Sequence, residues 1–258
     1  MKSILKMVLA LPLVSLVACT TMKVEKDHVK GVKRVAIVGF DVQQQRPVEG
    51  GDLFKALTHQ DTSSKAEVKG RTEAAHVAAM YDLLRKKLET DNGWQVMPMD
   101  KVKQNKAYQE HFKAKTEGWQ NRPIMNDRYN LLQAEGILDS FAIMTTEPEK
   151  RKQLQQDLGV DAILYVGIKV DLNNNSALAS LVGQGKFSPL ATTNLTLIDA
   201  AFDTKIWFDG SAQGEPAENN DKNFMGMADA EKLNQLAVKA AESSYKKLLA
   251  NYKEKLAE

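Results

Sequence analysis

Two stretches constrain what this chain can fold into. Val35–Phe40 reads VAIVGF, and Val160–Leu172 reads VDAILYVGIKVDL. Both are near-continuous apolar runs rich in β-branched residues. That pattern suits strands covered on both faces, because a strand with one wet side alternates more strictly. Val35, Ile37, Ile163, Tyr165 and Val166 are therefore expected in the core of a sheet. The segments around these runs have the other period. Arg71–Thr90 places Val77, Met80, Tyr81, Leu84 and Leu88 at helical spacing, and the sequence Asp91-Asn92-Gly93 stops it. Ala228–Ala257 does the same through Leu233, Leu236, Ala237, Ala240, Tyr245, Leu248, Leu249 and Tyr252.

The remaining segments fill in around this frame. Trp94–Asp100 reads as a second strand, and Pro98 marks it as an edge. Asp100 is placed to cap a following helix. Residues 101–157 read as mostly helical, broken near Gly118–Pro123. The sequence TEPE at Thr146–Glu149 looks like a helix start with proline just inside, and Gly159 ends that helix. Ala191–Phe202 and Lys205–Gly214 pair as a hairpin across a short turn at Asp203-Thr204. Gln43–Gly70 and Asn173–Leu190 read as polar or glycine-rich connections. Thr20–Gly31 reads as an aperiodic tether, which fully extended reaches at most about 40 Å.

The N-terminus carries a different kind of signal. Lys2 and Lys6 precede an apolar run, Met7–Val17, that has signal length and is too short to span a bilayer. The run closes on LVAC, and Cys19 is the sole cysteine in the 258 residues. A lone thiol makes no internal disulfide and is a poor metal site. LVAC resembles the lipobox of bacterial lipoproteins, which implies cleavage before Cys19, a diacylglycerol thioether on its sulfur and an acyl chain on its new amino group. Three chains on one residue meet the requirement for stable anchoring, since one chain alone binds reversibly. Thr20 follows, not aspartate, which by resemblance to enterobacterial sorting implies export to the outer membrane. The domain division is a signal peptide at 1–18, a lipidated tether at 19–31 and one domain at 32–258.

Removing residues 1–18 removes two lysines and no acid, so Lys plus Arg falls from 35 to 33 against 33 Asp plus Glu. A neutral chain without a clustered basic patch gives no reason to expect a nucleic-acid partner. With 43% apolar residues the chain can fill one sizeable core.

The sequence offers little chemistry. His28, His59, His76 and His111 are dispersed, with neither HExxH spacing nor a Cys/His cluster, so no metal site is expected. Ser180 lacks a glycine-flanked nucleophile elbow. Gly183–Phe187, GQGKF, precedes a strand instead of opening a helix, so it lacks the geometry of a phosphate cradle. Asp161, Asp171, Asp199 and Asp203 fall near strand ends, where carboxylates either do acid–base work or solvate turns. Trp94, Trp119 and Trp207 either line a groove or fill the core. No catalytic residue and no cofactor is expected.

The order RVAIVGF, long helix, GWQVMPMDKV, LGVDAILYVGIKV, LTLIDA, KIWFDG and C-terminal helix resembles the curli-secretion lipoprotein (CsgG-like) superfamily. Its relatives include the penicillin-binding-protein activator lipoproteins and the amino-terminal domain of the Tol translocation protein. The resemblance covers about Val32 to Glu258, apart from a helical insertion around 104–146. It implies an α/β fold with a central mixed sheet, helices on both faces and a long C-terminal helix. With no catalytic constellation in the sequence, the expected role is a periplasm-facing lipoprotein of the outer membrane, working without catalysis in assembly, secretion or envelope maintenance. The partners would be the membrane through Cys19 and an envelope protein or a second copy of the chain. The alternative is a subunit of a curli-type secretion channel. A barrel subunit needs strands of about ten residues that alternate apolar and polar, and Asn173–Leu190 supplies only the short apolar stretch Ala177–Val182.

Overall fold

The computed structural model describes residues 22–46, 72–117, 128–174, 187–218 and 230–258. Among the described residues, eight strands form one mixed, open sheet. They are β1 (Met22–Val24), β2 (Arg34–Gln45), β3 (Thr72–Glu73), β4 (Gln95–Val96), β5 (Tyr129–Gln133), β6 (Ala162–Asn174), β7 (Phe187–Asp199) and β8 (Thr204–Gln213). The order across the sheet is β1-β8-β7-β6-β2-β5-β3, with β4 beside the start of β2. The two apolar runs occupy the centre. β2 lies parallel to β6, pairing Val35 with Ala162 and Phe40 with Val166. Val35, Ile37, Ile163, Tyr165 and Val166 are all buried, as their pattern predicts.

The helices are α1 (Lys26–Val29), α2 (Ala75–Asn92), α3 (Met99–Gln104), α4 (Lys106–Thr116), α5 (Ser140–Met144), α6 (Pro148–Leu158) and α7 (Ala230–Ala257). They lie on both sides of the sheet, so the α/β class holds, including the long C-terminal helix. α2 and α7 pack against each other on one face, α7 over β7 and β8 and α2 over β2, β4 and β5. Val77, Met80, Tyr81, Leu84 and Leu88 form the buried stripe of α2, the residues its sequence spacing picks out. The Tyr81 ring meets Phe40 edge-on at 5.4 Å, and its hydroxyl donates to the Ile37 carbonyl. α5 packs on the other face against β2 and β6, beside α4 and α6. α2 and α6 each end on a left-handed glycine, Gly93 and Gly159.

Several expectations change. The tether expected at 19–31 is interrupted at Met22, because β1 pairs with β8 and α1 follows. Val24, Val29 and Val32 pack on the core and draw this stretch in. The helical insertion expected at 104–146 contains β5, whose Leu131 and Leu132 pair with Gln43 and Val42. Gln43–Gln45 extend β2 instead of opening a loop. Asn173–Asn174 and Phe187–Leu190 belong to strands that pair Asn174 with Phe187, while 175–186 lie outside the described residues. Asp100 sits in the first turn of α3, and the cap position is Pro98. Glu147, one residue after Thr146, precedes α6, with Pro148 at its first position.

Candidate functional site: an open face of the sheet

Pairing places β6 residues alternately on the two faces. Leu164, Val166, Ile168 and Val170 point to α2 and α7, with Leu197, Leu195, Thr193 and Ala191 of β7 beside them. Thr193 and Ser244 of α7 share a buried hydroxyl pair at 2.6 Å. The other face carries the rows Gly39–Tyr165–Thr196–Phe208, Asp41–Gly167–Asn194 and Gln43–Lys169–Thr192. Its lower part is covered by α5. Beyond α5 the face is open, and Gln43 and Asn194 are exposed.

Two glycines seat α5. A Cβ on Gly39 would lie 2.9 Å from Cγ1 of Ile143 and 3.2 Å from the Asp139 carbonyl, and one on Gly167 would lie 3.2 Å from the Ser140 hydroxyl. The close approach lets two carboxylates take the first amides of the helix. Asp139 accepts from Ala142 at 2.7 Å, and the buried Asp41 accepts from Ser140 at 2.6 Å. α5 is held so that Ala142 and Ile143 face inward while Phe141 and Met144 face out, 53% and 51% exposed. Among the described residues only Phe202 is a more exposed large apolar side chain. Phe141 and Met144 overhang a cavity of about 350 Å³, whose floor includes Asp41, Gln43, Lys169 and Phe208.

At the upper rim, the Tyr129 hydroxyl donates to Asp171, Lys169 Nζ lies 2.9 Å from the same carboxylate, and that ammonium sits 5.0 Å over the Tyr129 ring. Hydrogen bonding to Tyr129, then to Asp171, raises the Lys169 pKa above its ordinary value. This rim is a fixed polar edge around a partly apolar floor. A polar rim around apolar side chains is the make-up of a surface suited to a complementary one.

The other sequence candidates disperse. Asp161 accepts from the Lys33 and Arg34 amides and from the Arg34 guanidinium. Burial raises its pKa, and the bonds from Arg34 and Lys33 together outweigh this and hold it below the ordinary carboxylate value. Asp199 accepts from Gln155, and Asp203 pairs with Arg151 at 2.6 Å. Each of these carboxylates fastens a turn or a strand end. Trp94, Trp207 and Tyr252 form an aromatic cluster in the core, Trp94 edge-on to the other two. His76 meets Gln44 at 3.0 Å, His111 meets Thr146 at 3.1 Å, and His28 is exposed on α1. Cys19, His59, Trp119, Ser180 and Gly183–Lys186 lie outside the described residues. Among the described residues no cluster of metal-ligating side chains occurs, and no helix is long and apolar enough to cross a membrane.

The open face is absent from the sequence expectations. Its signal was the alternation within VGIKVDL, where Gly167, Lys169 and Asp171 interrupt Val166, Ile168, Val170 and Leu172.

No family model matches the chain, and no curated protein matches it. Solved structures that overlap it loosely include two. Lipoprotein GNA1162 from Neisseria meningitidis is 16% identical, covering 80% of this chain and 98% of its own, at a TM-score of 0.32. A PelC dodecamer from Paraburkholderia phytofirmans is 9% identical, covering 83% of this chain and 89% of its own, at a TM-score of 0.29. The fold assignment rests on the chain's own elements.

Proposed function

We propose that this chain is a periplasm-facing lipoprotein of the outer membrane, anchored through Cys19, that works as a non-enzymatic accessory by binding an envelope protein. The observation that carries the binding role is the open sheet face under Phe141 and Met144. A five-residue helix fixed by two carboxylates and two glycines holds two large apolar side chains in water. Exposed apolar groups beside a polar rim are the composition of a protein-binding surface. The anchor rests on the LVAC run after a charged, apolar leader.

The test compares three proteins isolated from envelopes: the native chain, Cys19→Ser, and Phe141→Asp combined with Met144→Asp. Palmitate-analogue labelling is expected in the first and third and absent from Cys19→Ser. Co-purifying protein is expected with the native chain and lost from the double variant at unchanged melting temperature. Labelling of Cys19→Ser contradicts the anchor, and an unchanged partner set on the double variant contradicts the binding face.

A further inference from the structure

We infer that the β1–β8 edge of the sheet is the surface that lies against the phospholipid headgroups, with the strands running along the membrane instead of standing on it. The inference rests on the lipoprotein reading of Cys19. The chain from Cys19 to Met22 spans at most about 11 Å, and Met22 is already fixed in the sheet opposite Asp209. The free leash is therefore short, and the folded body has to present to the bilayer whatever lies beside Met22.

Two orientations compete. In the upright one the strand axes point into the membrane. Asp209 is level with Leu195, and β7 continues from there to Phe187, which pairs with Asn174. Those eight positions (195 − 187) extend about 27 Å, about 16 Å more than the leash can reach. The acyl chains hang from Cys19 itself, so this residue sits at the hydrocarbon boundary. An upright body would drive Asp171, Asn173 and Ser188 beyond that boundary. Moving polar strand ends into hydrocarbon is costly, and for Asp171 desolvation stays costly in spite of its contacts with Lys169 and Tyr129. The edge-on orientation asks for none of this. β1 ends the strand order, so the outer backbone groups of Met22–Val24 meet no further strand among the described residues. Headgroups and interfacial water satisfy those groups, and the bilayer keeps a second chain from adding to the edge. The open face then stands out from the membrane, reachable from the side.

The register supplies the test. Glu73 pairs with Gln133, Gln133 with Asp41, Asp41 with Gly167, and Gly167 with Asn194, which is level with the bulge before Ser211. Ser211 and Glu73 thus share one height along the strands and differ by five strand spacings across the sheet, about 24 Å. Both are exposed. In full-length acylated protein the Cys19 sulfur is a thioether, so a thiol-reactive fluorophore labels only an introduced cysteine. Ser211→Cys and Glu73→Cys proteins are placed in phosphatidylethanolamine–phosphatidylglycerol vesicles containing a nitroxide-bearing phospholipid. Quenching is expected to be severalfold stronger at Ser211 than at Glu73. Equal quenching, the mark of upright insertion, overturns the inference, as does an unquenched Ser211 label shielded by a second copy on the edge. If the protein fails to float with the vesicles and Cys19 itself takes the fluorophore, the lipoprotein reading falls and the inference with it, an outcome distinct from floating protein with the wrong quenching pattern.

Discussion

The two faces of the same strands are built to different rules. On the α2–α7 side, Val166, Ile168 and Leu195 are buried to within 1% of full burial. One residue along, Gly167, Lys169 and Asn194 face solvent or line the cavity under Phe141. The side chains of the covered face have left water and fill a close-packed layer that adds stability. On the opposite face, the part beyond α5, with Gln43 and Asn194 exposed, contributes little burial, so its composition is free to serve binding. The separation is sharpest at α5, where Gly39 and Gly167 bring one short helix against the sheet and leave its outer half wet.

The largest contrast is expected from placing a charge on each face. Val166→Asp puts an unpaired carboxylate among α2, α7 and the central strands and should cost about 3–5 kcal/mol. Asn194→Asp on the open face should change stability by less than about 0.5 kcal/mol. Urea titration of both variants checks this, and comparable losses would erase the distinction between the faces.

Next comes the seat of α5. Gly39→Ala pushes a methyl group against Ile143 and the Asp139 carbonyl, and overpacking of this kind costs about 1–3 kcal/mol. Because α5 would shift, Phe141 and Met144 should also lose partner binding out of proportion to the stability loss. Calorimetry with a parallel pull-down separates the two effects.

On the covered face, Ser244→Ala strands the Thr193 hydroxyl, which is fully buried. A loss of about 1–2 kcal/mol is expected, and Thr193→Val in the same background should recover part of it. A double-mutant cycle by denaturant unfolding measures the recovery.

The smallest effect is a pH dependence. Burial lowers the His76 pKa from 6.5, so the folded state favours the neutral ring that meets Gln44. The contribution is present above pH 6.5 and is lost as pH falls through the lowered folded-state pKa. His76→Gln should flatten the stability profile below pH 6.5, as thermal melts across pH 5–7.5 would show.

The frame was legible because it is carried by period. Val35–Phe40, the α2 stripe and α7 all announce themselves through unbroken apolar runs or i, i+3, i+4 spacing, which depend on burial alone. β1 and β5 were not legible. Met22–Val24 is three residues long, and Tyr129–Gln133 has one exposed and two half-buried positions, so neither carries enough alternation to outvote its polar surroundings. Both exist because a neighbouring strand was available, Trp207–Asp209 for one and Asp41–Gln45 for the other. The candidate site was hidden for a related reason. Asp41, Gly39 and Gly167 acquire their role only when β2 and β6 lie side by side under α5, which no local window contains.

The central claim is that the open face meets a protein partner in the envelope. A photo-crosslinking amino acid at position 141, above the cavity, and another at Lys247, exposed on the outer side of α7, would be activated in intact cells. A discrete higher-mass adduct is predicted from position 141 and none from position 247. Adducts at 247 with none at 141 would contradict the account and move the binding surface to the helical side.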